Sequence, residues 1–178
     1  MTIYVALLHS VVLTPQRRVI MSDLRAMAEE IGFRNPRTLV STGNLIFETK
    51  QKSVAQIEKK LETAFASRFG RIVDIIARSA DGWRAIVSAN PFPEESGRDG
   101  DRVAARIMRK PLDDEALAAL RPYQKDERLA VVAGDLWCSF AGKPSESRLL
   151  PAMTTKRLGV GTSRNWNTIR GIGEMLGD

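Results

Sequence analysis

The chain has 178 residues, 43% of them hydrophobic, and a formal net charge of +6. That length allows one large domain or two small ones, and that apolar content supplies a real core, which sets aside a disordered chain. A single cysteine, Cys138, and a single histidine, His9, exclude an internal disulfide framework and an ordinary structural zinc site, and they fit a reducing compartment.

The charge is uneven along the sequence. Residues 1–90 hold 13 basic and 8 acidic groups (+5), residues 91–140 hold 8 and 10 (−2), and residues 141–178 hold 6 and 3 (+3). Basic ends that meet in space would attract nucleic acid or phosphorylated ligands; the plainer alternative is a solvated, merely basic surface. The apolar run Ile3–Leu13 has signal-peptide length, but no Lys or Arg precedes it and Arg17 and Arg18 follow it, the reverse of the secretory charge order. No window reaches transmembrane length. The expectation is a soluble, cytoplasmic protein without a membrane partner.

Taken in order, Ile3–Leu8 is apolar on both alternating faces and predicts a central strand. A loop with Pro15, Arg17 and Arg18 follows. Ser22 then opens a helix with Leu24, Met27, Ala28 and Ile31 on one face, ending at Gly32. Arg37–Ser41 and Leu45–Thr49 predict two strands joined at Thr42-Gly43-Asn44. Ser53-Val54-Ala55-Gln56 is a capping box for a second helix that ends at Gly70, and Ile72–Ala77 reads as a fourth strand. The order is β-α-β-β-α-β, that of a ferredoxin-like fold with an antiparallel sheet.

Beyond it, Ser79 caps a helix with Trp83, Ile86 and Val87 inward, stopped by Asn90-Pro91, and Pro93–Gly100 reads as a surface loop. A looser second copy follows: strand Val103–Met108, helix Asp113–Leu120, a hairpin of Leu129–Ala133 and Leu136–Phe140 around Gly134-Asp135, and a helical segment near Leu149–Leu158. The fold class is therefore α+β in two subdomains, residues 1–78 and 79–178, the second with a C-terminal helix.

That last helix carries the densest motif, Gly159-Val160-Gly161-Thr162-Ser163-Arg164-Asn165-Trp166-Asn167-Thr168. Thr162 and Ser163 are N-cap types, and Trp166, Ile169, Ile172 and Leu176 recur at helical spacing. Asn165 falls near that stripe and reads as a pin for a neighbouring loop, while Arg164 and Asn167 point away. Exposed amides at a helix start suit an anion, although the dinucleotide glycine pattern and the phosphate-loop lysine are absent, so no cofactor is called for. The plain alternative is a capped C-terminal helix that locks two subdomains.

Tyr4-Val5-Ala6-Leu7-Leu8, Met21-Ser22-Asp23-Leu24-Arg25, Gly32-Phe33, Arg37-Thr38 with Gly43-Asn44-Leu45-Ile46-Phe47, Asn90-Pro91-Phe92, Ser147-Arg148-Leu149 and Thr162–Thr168 together resemble the bacterial "domain of unknown function 1697" family across nearly the whole chain. The resemblance implies an α+β fold of two subdomains, the first ferredoxin-like, and no established activity, ligand or catalytic residue. Where the family usually shows Arg-Gly-Ile-Asn-Val-Gly-Gly after its first strand, this chain reads His9-Ser10-Val11-Val12-Leu13-Thr14-Pro15, without the glycines that bring backbone close to a ligand.

The remaining chemistry is thin. His9 has no nucleophile near it in sequence, Cys138 beside Trp137 reads as a small buried hydrophobe, and Asp113-Asp114 sits where a helix dipole favours acids. RNA recognition on a ferredoxin-like sheet needs exposed aromatics, and Tyr4 and Phe47 sit on the two central strands of a sheet that reads as covered. What is left is a polar set on loops and at the last helix start: Ser41, Thr42, Asn44, Lys143, Ser147, Arg148, Arg164 and Asn167, the residue types that grip phosphate or carboxylate and also ordinary turn and cap residues. Two functions follow: a binding module for nucleic acid or another polyanion, or an enzyme or regulator acting on a small phosphorylated or carboxylated metabolite.

Overall fold

A segment with no polar residue from Ile3 to Leu8 can be placed only where both faces are covered, and β1 (Thr2–Leu8) is such a strand. In the computed structural model, which describes residues 1–10 and 18–177, β1 pairs antiparallel with β3 (Asn44–Thr49) and β4 (Ile75–Ser79), and β2 (Arg34–Thr38) lies outside β3. The order β2-β3-β1-β4 is that of the ferredoxin-like fold. The loop read at Pro15 and Arg17, and the stretch Val11–Pro15 that departs from the family, lie outside the described residues.

One face of this sheet carries Tyr4, Ala6, Leu8, Leu45, Phe47, Ile75 and Ala77 and packs on α1 (Met21–Glu30) and α2 (Val54–Phe69) through Leu24, Met27, Ile57, Leu61 and Phe65. The other face, Val5, Leu7, Ile46 and Ile76, is at most 1% exposed. Ser53 caps α2 by accepting from the Gln56 amide at 3.3 Å, and Gly70 ends it at φ 70°. One further device was not visible as a pattern. Glu58 and Glu62, one turn apart on α2, accept from the outward amides of Ala77 (2.9 Å) and Ile75 (3.0 Å) on the edge strand β4. Two strand residues and one helical turn span similar lengths, so the helix blunts the sheet edge.

Local boundaries differ from the sequence reading in four places. The N-cap of α1 is Ile20 rather than Ser22. The third strand's partner β2 starts at Arg34 and bulges before Arg37. The fourth strand begins at Ile75, and Ile72 is 91% exposed. The segment read as a surface loop holds α4 (Pro93–Arg98), with Pro93 in its first turn beside Glu94 and Glu95; both residue types favour a helix start.

After α3 (Ala80–Ser88), whose start Ser79 supports by accepting from the Gly82 amide at 3.1 Å, the second sheet repeats the first in topology. Its strands are β5 (Val103–Met108), β6 (Arg128–Val132), β7 (Asp135–Ser139) and β8 (Gly161–Asn165), in the order β6-β7-β5-β8, all antiparallel. Helices α5 (Asp114–Leu120), α6 (Leu149–Ala152) and α7 (Thr155–Leu158) make the crossovers. The core between helices and sheet holds Met108, Leu120, Leu136, Cys138, Phe140, Leu149 and Leu158. Cys138 is fully buried, and desolvation pushes its thiol far above its ordinary range, which leaves it inert.

The chain divides into two compact units, Met1–Val87 with Gly171–Asp178, and Ser88–Arg170. The helix α3, assigned from the sequence to the second subdomain, thus groups with the first, and α8 (Trp166–Leu176) begins in the second unit and ends in the first. Within the first unit Arg37 and Arg84 donate to the carbonyls of Met175 (2.8 Å) and Gly177 (3.1 Å), satisfying acceptors that a helix end leaves open. No helix among the described residues is long and apolar enough to cross a membrane.

Candidate functional site

The terminal motif changes meaning once β8 is seen. Gly161–Asn165 is a strand paired to β5, with Ala105 opposite Arg164 and Ile107 opposite Thr162. Asn165, two or three residues later than the caps read from the sequence, is the residue whose side chain accepts from the first turn of α8, from the Thr168 amide at 2.9 Å. The strand escaped notice because it contains no apolar residue, so it shows no period-2 pattern, and Thr162 and Ser163 resemble caps.

Arg164 consequently does not point to solvent. It lies on the sheet face shared with Ala105 and Trp137, is 8% exposed, and donates from one guanidinium nitrogen to Thr162 Oγ1 and the Ser163 carbonyl, both at 2.8 Å. Desolvation pushes its guanidinium down to about 10, so it remains charged at neutral pH. Trp166 is half-buried, its ring tilted at 6.1 Å from that of Trp137. Asn165 and Asn167 both donate at 2.9 Å to one oxygen of Asp101, which ties the helix start to the segment before β5.

The glycines have packing duties. Gly159 ends α7 at φ 87°. A Cβ on Gly161 would lie 2.7 Å from the Met108 sulfur and 2.9 Å from the Ile107 carbonyl. Next to it Arg106, 2% exposed, donates to the Gly159 carbonyl at 3.1 Å. These contacts give the Gly-rich turn a structural purpose.

In the first unit, Ser41, Thr42 and Asn44 share the β2–β3 turn. Asn44 is fully buried and donates to the Leu39 carbonyl and to Thr42 Oγ1, both at 2.9 Å; a buried amide so engaged shapes the turn. Tyr4 and Phe47 are 4% and 0% exposed, and Phe47 stacks on Phe33 at 4.4 Å. The aromatic platform that sheet recognition of RNA requires is core here.

In the second unit Lys143, Ser147 and Arg148 come together, lining a cleft of about 360 Å³ with Tyr123 and Phe140 among its apolar walls. The opposite wall is Lys125-Asp126-Glu127, which the sequence reading missed. The Ser147 hydroxyl donates to a Glu127 carboxylate oxygen, and the Lys125 amide donates to the other at 2.7 Å. Burial alone would raise the Glu127 carboxyl, but these hydrogen bonds outweigh it and hold the group below its ordinary range. Arg157 donates to the Tyr123 hydroxyl at 2.8 Å and lies over its ring, fixing that wall as well. The signal for the missing wall was the hairpin itself. Pairing of Arg128 with Ser139 makes the residues just before β6 neighbours of those just after β7.

Charge divides evenly: the first unit has 13 basic and 10 acidic residues and the second 14 and 11, each +3. The basic ends of the sequence therefore do not belong to one strongly positive unit.

Two ferredoxin-like units, with a mixed-charge cleft on the second, define an α+β protein. The chain belongs to the family described as "Protein of unknown function (DUF1697)", whose pattern matches residues 1–137. No curated protein matches it. Among solved structures it is similar to a conserved bacterial protein from Streptococcus pneumoniae, at 26% identity and a TM-score of 0.75 over 98% of each chain.

Proposed function

We propose that the second unit binds a small phosphorylated or carboxylated metabolite in the Lys143–Ser147–Arg148 cleft, as a metabolite-binding protein rather than a nucleic-acid module. One observation carries this: three of the eight polar loop residues singled out in the sequence line a single cleft, and its size falls in the range of small-ligand sites. A polyanion would meet Asp126, Glu127 and Glu146 beside Lys125, Lys143 and Arg148, and so gain little there from counterion release. Thermal shift against phosphosugars, nucleotides and di- and tricarboxylates tests the reading, since a ligand of the native state must raise the melting temperature. The expected hit survives a rise in salt and is lost in Arg148→Ala. Oligonucleotide binding at ~50 mM salt that weakens steeply with added salt, with no small-molecule hit, would overturn it.

A further inference from the structure

Two clefts share Asp126, Phe140 and Ala141 at this end of the second sheet, and they treat their charges differently. In one, the exposed arginines are paired: Arg128 with Glu95, Arg102 with Asp99 at 3.2 Å, and Arg98 with Glu94 at 3.7 Å. In the other, Lys125, Asp126, Lys143, Glu146 and Arg148 are exposed, carry both signs and have no side-chain hydrogen bond or ion pair among the described residues. The groups around them are fixed, because Glu127 is held by Ser147 and Tyr123 by Arg157. The result is a cleft of about 360 Å³ in which hydrogen-bonded Glu127 and Tyr123 lie among exposed, unpaired cations and carboxylates.

A simple anion uses only half of that rim and is repelled by the rest. A ligand with a charge of each sign uses both, and each charge-assisted hydrogen bond is worth more than a neutral one. We infer that the cleft takes a zwitterion, an α-amino acid or a short peptide, with its carboxylate on Lys143 and Arg148 and its ammonium on Asp126 and Glu146, the side chain lying toward Tyr123 and Phe140. This rests on the reading of the cleft as a ligand site and narrows its ligand class.

The test is calorimetric titration of the intact chain with the common α-amino acids and a set of dipeptides, beside inorganic phosphate and citrate. The best zwitterion is compared with its N-acetyl and its C-amide forms. The expected result is a zwitterion that binds, with each blocked form weaker by about tenfold or more, the loss expected for one hydrogen bond to a charged group. Asp126→Asn and Arg148→Gln should each weaken it similarly while leaving the melting temperature unchanged, both residues being exposed. If citrate or phosphate binds and zwitterions do not, and Asp126→Asn strengthens that binding, the zwitterion assignment is wrong and the metabolite site stands. If no probe binds, both fail.

Discussion

The two units have the same strand order and spend their interiors differently. In the first, the central strand β1 is buried from Tyr4 to Leu8 and carries no charged side chain, and Phe47 lies between Tyr4 and Phe33. In the second, β5 carries Arg106 on one face, the neighbouring β8 carries Arg164 on the other, and both are nearly inaccessible. The first sheet rests mainly on buried apolar area, with Asn44, Glu58 and Glu62 as its engaged polar groups, whereas a sheet with buried arginines depends also on hydrogen bonds from long cations to particular oxygens. The strands of the second unit are therefore the more exposed to loss from changes at their buried cations.

The apolar core of the first unit is most vulnerable at Phe47. Phe47→Ala removes a ring from a site with no access to solvent and should cost roughly 3–5 kcal/mol in urea or guanidinium unfolding. A smaller loss would mean that Tyr4 and Phe33 collapse into the space. Next is Gly161→Ala, which adds one methyl beside Met108 and against the Ile107 carbonyl. Overpacking of that kind costs typically about 1–3 kcal/mol; a neutral result would show that β8 is looser than its contacts imply.

At the cleft the expected change is smaller and depends on pH. Ser147→Ala removes one of the hydrogen bonds that depress the Glu127 carboxyl, so the Glu127 pKa should rise, as read by carboxyl-carbon NMR. A carboxylate with a lowered folded pKa contributes stability at and above its ordinary range, and that contribution is lost as pH falls through the folded value. The gap between wild type and variant should therefore narrow from about pH 7 to about pH 3, across the carboxylate range. What remains in acid is the lost hydrogen bond from the Leu149 amide to Ser147, which does not titrate. A gap that stays constant would mean that Glu127 is not tied to Ser147 in solution.

How much could be read in advance follows the same division. The first unit announced itself through apolar periodicity and caps: Leu24, Met27 and Ala28 on α1, Ile57, Leu61 and Phe65 on α2, Ser53 and Gly70 at the ends of α2. Polar strand β8 was invisible because strand recognition relies on apolar alternation, and its arginine looked like a surface ligand group when it is a buried strut. Burying a long cation costs a great deal unless its partners are in place, and those partners, Thr162 Oγ1 and the Ser163 carbonyl, are near neighbours in the chain that read as cap groups until the strand pairing buries the arginine beside them. For the cleft, Lys143, Ser147 and Arg148 were legible as polar loop residues. Lys125 and Asp126 were not, since a charge run reads as a solvated face until the hairpin brings it opposite a second wall.

Buried Arg164 is a strut of the second unit, whereas exposed Arg148 lines the proposed ligand cleft. Arg164→Ala and Arg148→Ala, measured side by side by chemical denaturation and by titration with the best-binding zwitterion of the calorimetric series, separate the two roles. Loss of Arg164 should cost about 1–3 kcal/mol, the scale of hydrogen bonds to a charged group, and leave binding within a few-fold in the protein that remains folded. Loss of Arg148 should change stability by less than about 0.5 kcal/mol, as at an unpaired surface site, and weaken binding by about tenfold or more. The contradicting result is the reverse: a stable Arg164→Ala protein that no longer binds, beside an Arg148→Ala protein that binds normally.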